Sequence, residues 1–70
     1  MFRVEDGGEF LNVFVNERED QCFTLNKIER EWGGAPEDNR PTWEELCRRA
    51  GYDPDGDEII AALNRAAGIE

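Results

Sequence analysis

Residues 9–16 read EFLNVFVN, which is the clearest β-strand pattern in the chain. Apolar side chains fall into two alternating sets, Leu11, Val13 and Val15 in one and Phe10 and Phe14 in the other. Residues two apart in an extended chain point to the same side of a sheet, and β-branched and aromatic side chains favour strands. The stretch therefore predicts a strand that is buried on at least one face.

The segments on either side of this strand extend it into a small sheet. Residues 5–8, EDGG, place two glycines where a tight hairpin needs a positive φ, and a first strand at residues 2–4 precedes them. After the polar run 16–20, residues 21–25 supply a third strand. The sequence thus predicts a three-stranded antiparallel meander, which is stable when a helix covers its apolar face.

The period of the apolar residues changes after the third strand. Leu25, Ile28 and Trp32 follow the i, i+3, i+7 spacing of one helical stripe. This spacing predicts a short helix over residues 26–32, which the two following glycines end.

Two further helices are predicted in the second half of the chain. Thr42 and Glu45 have the capping-box spacing, which predicts that a helix begins at Thr42. Gly51 ends this helix. The last helix begins at an acidic cap within residues 55–58 and ends at Gly68.

These elements predict one α+β domain over residues 1–70, a small three-stranded antiparallel sheet followed by two or three helices packed on one face. Its core joins the apolar positions at which the two periodicities agree. These positions are Leu11, Val13, Val15 and Phe23 of the sheet and Ile28, Trp43, Leu46, Ile60 and Leu63 of the helices.

The composition excludes most catalytic chemistry. The chain has 70 residues without histidine or serine, and its only hydroxyl groups are those of Thr24, Thr42 and Tyr52. Serine triads, histidine bases and imidazole metal sites are therefore excluded, and a domain this small has little room for an enclosed active site. Cys22 and Cys47 have no histidine to activate them and are expected in the core. We expect neither an enzyme nor a cofactor.

Two stretches approximate known motifs without completing them. Residues 53–57 space three aspartates like the first ligands of an EF-hand loop, but Glu58 stands where glycine is needed and Asn64 where a bidentate carboxylate is needed. We expect no metal site. Residues 42–63 resemble a helix-turn-helix, yet the second helix opens with acids and contains a single base, Arg65. Direct nucleic-acid binding is not expected in a chain of net charge −9.

The sequence also predicts the compartment. No apolar run approaches the roughly 18 residues that span a bilayer. The first residues, MFRVED, have neither the basic start nor the apolar stretch of a signal peptide. We expect a cytoplasmic protein with no membrane contact, in which both cysteines stay reduced.

The 17 acidic side chains outnumber the 8 basic ones, and most of them have no role at a helix start. Glu17 and Glu19 point the same way in an extended segment and present a short file of negative charge. Carboxylates in such files satisfy lysines and arginines that otherwise bind phosphate, although simple solubility is an alternative reason for the acidity. The predicted partner-binding residues are Glu17, Glu19, Asp20, Glu29, Glu31, Glu37 and Asp38.

In size, dispersed acidity and lack of catalytic side chains, the chain resembles the small phage-encoded inhibitors that block nucleic-acid-binding host machinery, among them anti-CRISPR proteins and other DNA mimics. The resemblance is one of kind and carries over no motif or residue. It implies a non-enzymatic inhibitor whose partner is a protein with a basic nucleic-acid-binding surface, and we expect a monomer. The alternative is a small accessory or ubiquitin-like module that binds a protein without nucleic-acid mimicry.

Overall fold

The computed structural model describes residues 2–16, 20–33 and 39–69, which form an α+β fold of four strands and two helices. In chain order the elements are β1 (Phe2–Asp6), β2 (Phe10–Val15), β3 (Cys22–Asn26), β4 (Glu31–Gly33), α1 (Arg40–Ala50) and α2 (Glu58–Ala67). The strands form one antiparallel sheet in the order β1-β2-β3-β4. The predicted three-stranded meander is present, and a fourth strand extends it.

The strand register sorts the sheet into an inner and an outer face. Val13 of β2 lies opposite Phe23 of β3. In the next row, Leu25 lies between Leu11 and Trp32. Cross-strand partners share a face, so these side chains form one apolar inner face, against which both helices pack. The alternation predicted for the second strand is confirmed.

Both helices complete the core from the inner side of the sheet. Trp43 of α1 packs edge to face against Phe23, with ring centroids 5.2 Å apart. Its Nε1 donates to the Pro54 carbonyl at 3.1 Å, which ties α1 to the loop before α2. Leu46 and Leu63 are buried in the same cluster. Burial of each such side chain stabilises the fold by about 1.5–3 kcal/mol relative to exposure.

The helix predicted over residues 26–32 is wrong, because this segment forms a turn followed by β4. Asn26 Oδ1 closes the turn by accepting from the amides of residues 28 and 29 at 3.0 and 3.1 Å. Arg30 has a φ of 59°, which a right-handed helix does not permit. Seven residues make a marginal helix, whereas a strand here places Trp32 on the inner face.

Two residues predicted in the core are exposed instead. Ile28 lies in the turn before β4 and is 75% exposed. Ile60 of α2 is 36% exposed, whereas its neighbour Ile59 is fully buried. Successive helix positions differ by about 100° in direction, so only one isoleucine of the pair faces the sheet.

The start of α1 differs from the predicted one, whereas the start of α2, with Asp57 at its N-cap, and both helix ends agree with the prediction. α1 begins at Arg40 with Pro41 in its first turn, so Thr42 lies inside the helix and the predicted capping box is wrong. Before α2, the amide of Asp55 donates to Asp53 Oδ1 at 2.9 Å, and no side chain caps the helix itself. Each helix stops at a glycine in the left-handed conformation, as predicted.

Candidate partner-binding surface

The outer face of the sheet combines polar and aromatic side chains. Phe14 is buried there beneath the guanidinium of Arg3, which lies 4.3 Å from the ring centroid. In the middle of the face, the Thr24 hydroxyl donates to Asn12 Oδ1 at 3.2 Å. Phe10 lies at one end and is 44% exposed. Phe10 thus leaves an aromatic ring open to solvent beside side chains that are covered or hydrogen-bonded.

Two turns meet at one end of the sheet. The chain reverses between β1 and β2 at residues 7–9 and between β3 and β4 at residues 27–30, and the antiparallel order places both reversals at the same end. Lys27 joins them, because its amide donates to the Glu9 carbonyl at 2.9 Å and its ammonium pairs with Asp6. The two turns therefore form one continuous surface.

Asn26 holds the exposed Ile28 beside the outer face. It lies between Phe10 and Glu31 in a row across that face. Because its Oδ1 accepts from the amides of residues 28 and 29, the turn is held against the outer side of the sheet. We define the Phe10–Ile28 surface as Glu9, Phe10, Ile28, Glu29 and Glu31.

The three acids of the Phe10–Ile28 surface are exposed and make no ion pair with any residue that the structure describes. The charge of nearby Asp6 is balanced by Lys27. The hydrogen bond from Lys27, with a second from the Gly8 amide, lowers the pKa of the Asp6 carboxyl. Arg30 is exposed in the turn between the two glutamates. Three acids without an ion pair to any described residue, beside the exposed Arg30, leave this end of the sheet negative.

The structure describes three of the seven predicted partner-binding residues. Glu29 and Glu31 lie together on the Phe10–Ile28 surface. Asp20 lies just before β3, at the opposite end of the sheet, and does not share that surface. The remaining four, Glu17, Glu19, Glu37 and Asp38, lie outside the described residues.

Sequence reasoning does not identify Glu9, Phe10 or Ile28 as binding residues. The alternation around Leu11 places Phe10 on the outer face of the strand. This alternation is the feature of the sequence that could have indicated its exposure. Helical spacing assigns Ile28 to the core, although Asn26 is typical of the start of a turn. Glu9 joins the other acids only through pairing between strands that are distant in sequence.

Two of the three aspartates that resemble a calcium loop make side-chain contacts within the fold. Asp53 accepts the amide of Asp55, and the Asp55 carboxylate pairs with Arg40. Over residues 2–16, 20–33 and 39–69, no three Cys, Asp or Glu side chains are grouped so as to hold a metal ion. This part of the chain therefore offers no metal centre to the candidate surface.

The two cysteines are free thiols that differ in their access to solvent. Cys22 of β3 is partly exposed, whereas Cys47 of α1 is buried. Burial raises the pKa of the Cys47 thiol to about 11, so it stays protonated near neutral pH. Because the thiolate is the reactive form, Cys47 is not a nucleophile in the folded protein.

We expect a thiol reagent to label Cys22 and spare Cys47 in the folded protein at about pH 8, since both access and thiolate formation limit Cys47. Mass spectrometry of peptides after brief iodoacetamide treatment measures each site, and protein unfolded in urea is the control in which both react. Equal labelling of both cysteines in folded protein would contradict this assignment.

The pKa of Cys47 is higher in the folded state, so the stability that its buried thiol contributes is lost as pH rises from 9.0 to about 11.

Comparison of the chain with protein-family models, curated proteins and solved structures gives no significant match. No helix within the described ranges is both long and apolar enough to cross a membrane.

Proposed function

We propose that the protein is a small non-enzymatic inhibitor that binds the basic nucleic-acid-binding surface of a partner protein. The observation that carries this proposal is the group of three exposed acids on the Phe10–Ile28 surface, none of which pairs with a base in the described part of the chain. Carboxylates accept hydrogen bonds from arginine and lysine through the same charge and bidentate geometry as phosphate oxygens. A partner whose lysines and arginines are occupied in this way cannot hold its nucleic acid at the same time.

Two further features support the proposal. The net charge of −9 attracts a positive surface over long range and speeds association with it. The chain contains no histidine or serine, and Cys47 is buried with a raised pKa, so these groups do not supply a nucleophile or a base near neutral pH.

Changing Glu29 and Glu31 together to lysine is expected to weaken both partner binding and displacement of the partner's nucleic acid. Immobilised protein captures the partner from a nuclease-treated bacterial lysate, and the partner is then purified. Fluorescence anisotropy of labelled DNA or RNA on that partner measures displacement by wild-type protein and by the Glu29→Lys/Glu31→Lys variant. We expect at least about tenfold weaker displacement by the variant, chiefly through slower association.

The variant Asp57→Lys/Glu58→Lys is the matched control, because it changes the net charge equally at the start of α2, on the inner side of the sheet. It is expected to retain most of the displacement. Binding of wild-type protein should also weaken as salt rises from about 50 to about 500 mM, because screening shortens the reach of exposed charges. A partner that binds this protein and keeps its nucleic acid would contradict the proposal.

A second function is favoured by the two apolar side chains of the same surface. Phe10 of β2 and Ile28 of the turn before β4 are both exposed at this end of the sheet. Exposed apolar side chains suit an accessory or ubiquitin-like module that binds one protein through apolar contacts. Such a module leaves the nucleic acid of its partner in place. The displacement assay therefore separates the two functions.

A further inference from the structure

We propose that Phe10 and Ile28 anchor the complex by packing against apolar side chains in a basic segment of the partner. The segment has the chemistry of an amphipathic basic helix, in which leucine-like side chains lie between lysines or arginines. The basic character of this segment rests on the proposed function, whereas the apolar anchor rests on the exposure of the two residues.

The exposure of Ile28 stands out against its apolar neighbours in the chain. Leu25 and Trp32 are 4% and 7% exposed, whereas Ile28 between them is 75% exposed. One exposed apolar residue is ordinary on a protein surface, but Phe10 is exposed as well and is the cross-strand neighbour of Asn26, whose side chain closes the turn that carries Ile28. We call these two exposed residues the patch. Covering such a patch removes apolar area from water and stabilises a complex.

The turn that carries Ile28 is already ordered by hydrogen bonds within the chain. Asn26 closes it through its side chain and also accepts the Arg30 amide at its carbonyl, at 2.6 Å. The Lys27 amide ties the turn to the Glu9 carbonyl at 2.9 Å. A turn whose backbone is held in place loses little conformational entropy on binding, so the backbone that carries Ile28 is preorganised.

The acids beside the patch specify the charge of the segment that covers it. Phe10 on β2 and Glu31 on β4 are separated by one intervening strand, a distance of about 10 Å. Residues i and i+7 of an α-helix share a face and also lie about 10 Å apart. A helix that packs an apolar side chain on Phe10 thus places the residue seven positions along near Glu31, and a lysine or arginine there pairs with this carboxylate. A nucleic acid would instead bring phosphates against carboxylates, so the occupant is a protein segment.

The anchors and the acids are expected to act on different rate constants. Apolar contacts at the centre of an interface slow dissociation, whereas charges at its rim speed association. Removing an anchor should therefore shorten the lifetime of the complex, and reversing Glu29 or Glu31 should slow its formation.

A synthetic helical peptide tests this surface directly. The peptide has leucines at positions i, i+3 and i+4 and lysines one and two turns away on the same face, and a second peptide contains the same residues permuted around the helix. NMR titration of isotope-labelled protein with each peptide locates the contact and measures the Kd. We expect the amphipathic peptide to shift the amides of Phe10, Ile28 and Glu31 and to bind at least about tenfold more tightly than the permuted peptide.

Two substitutions remove the anchors at exposed positions, Phe10→Thr in β2 and Ile28→Ser in the turn. Ile60→Ser removes an exposed apolar side chain from α2 and is the matched control. We expect each anchor substitution to weaken the amphipathic peptide at least about tenfold, and the control to change its Kd less than about twofold. Thermal unfolding of each variant shows that the fold is kept.

Equal affinity of the two peptides, or binding that neither anchor substitution weakens, would overturn this inference. Either result leaves the proposed function intact if the protein still displaces nucleic acid from its partner. Conversely, a peptide that requires both anchors, together with a partner that keeps its nucleic acid, contradicts the proposed function and supports the anchor.

Discussion

Replacing Trp43 by alanine is expected to unfold most of the protein at room temperature. The indole is 1% exposed, contacts Phe23 and donates to the Pro54 carbonyl. Truncating a buried tryptophan costs about 3–5 kcal/mol, and loss of the hydrogen bond adds about 1 kcal/mol. A core of this size rarely supplies more than about 5 kcal/mol, so the loss matches the whole stability of the domain.

Urea unfolding followed by circular dichroism measures this effect, and the fluorescence of Trp32 gives a second probe. Trp43→Phe is the control, because it keeps an aromatic ring near Phe23 and removes only the Nε1 donor and part of the ring volume. We expect that variant to remain folded with a loss of about 1–2 kcal/mol. A Trp43→Ala protein as stable as wild type would place Trp43 outside the core.

Truncation of Leu46 or Leu63 to alanine is expected to cost about 2–5 kcal/mol at each position. Both side chains are buried in the cluster that joins the helices to the inner face of the sheet. The cavity left by each leucine removes contacts that the short helices cannot recover by shifting, because the core is closely packed.

Ile60→Ala is the matched control for Leu63→Ala, since both residues lie on α2 and only Leu63 faces the sheet. Alanine favours a helix, so we expect this exposed substitution to change the free energy of unfolding by less than about 0.5 kcal/mol. Chemical denaturation of the three variants measures the differences. Losses below about 0.5 kcal/mol at both leucines would contradict the helix packing described above.

Side-chain direction in β2 and the stop of each helix follow from short stretches of sequence. Successive side chains of a strand point to opposite faces of the sheet, so the alternation around Val13 is enough to separate the two faces. Gly51 and Gly68 end their helices because glycine enters the left-handed conformation without a steric cost. Both predictions rest on preferences that act within a few residues, and both are confirmed.

The segment that became β4 shows where such preferences are insufficient. The spacing of Leu25, Ile28 and Trp32 fits one stripe of a helix. It fits equally well a strand that contains Leu25, a turn that contains Ile28 and a second strand that contains Trp32. Trp32 lies opposite Leu25 and donates from Nε1 to Asn64 Oδ1 at 3.1 Å. Asn64 belongs to α2, far along the chain, so no local pattern contains this contact.

The candidate surface divides in the same way. The surplus of acids is a property of composition, and it predicts Glu29 and Glu31 as partner-binding residues. Glu29 and Glu31 lie near Glu9 only because β2 pairs with β3. Ile28 is exposed because residues 27–30 form a turn where a helix is predicted.

Composition and local periodicity thus account for the α+β class, the faces of β2, the helix ends and the negative charge of the chain. Long-range contacts account for β4, for the choice of Ile59 over Ile60 in the core and for the gathering of acids around Phe10 and Ile28. The physical reason is that a short segment permits several local conformations of similar free energy, and burial against residues distant in sequence stabilises one of them.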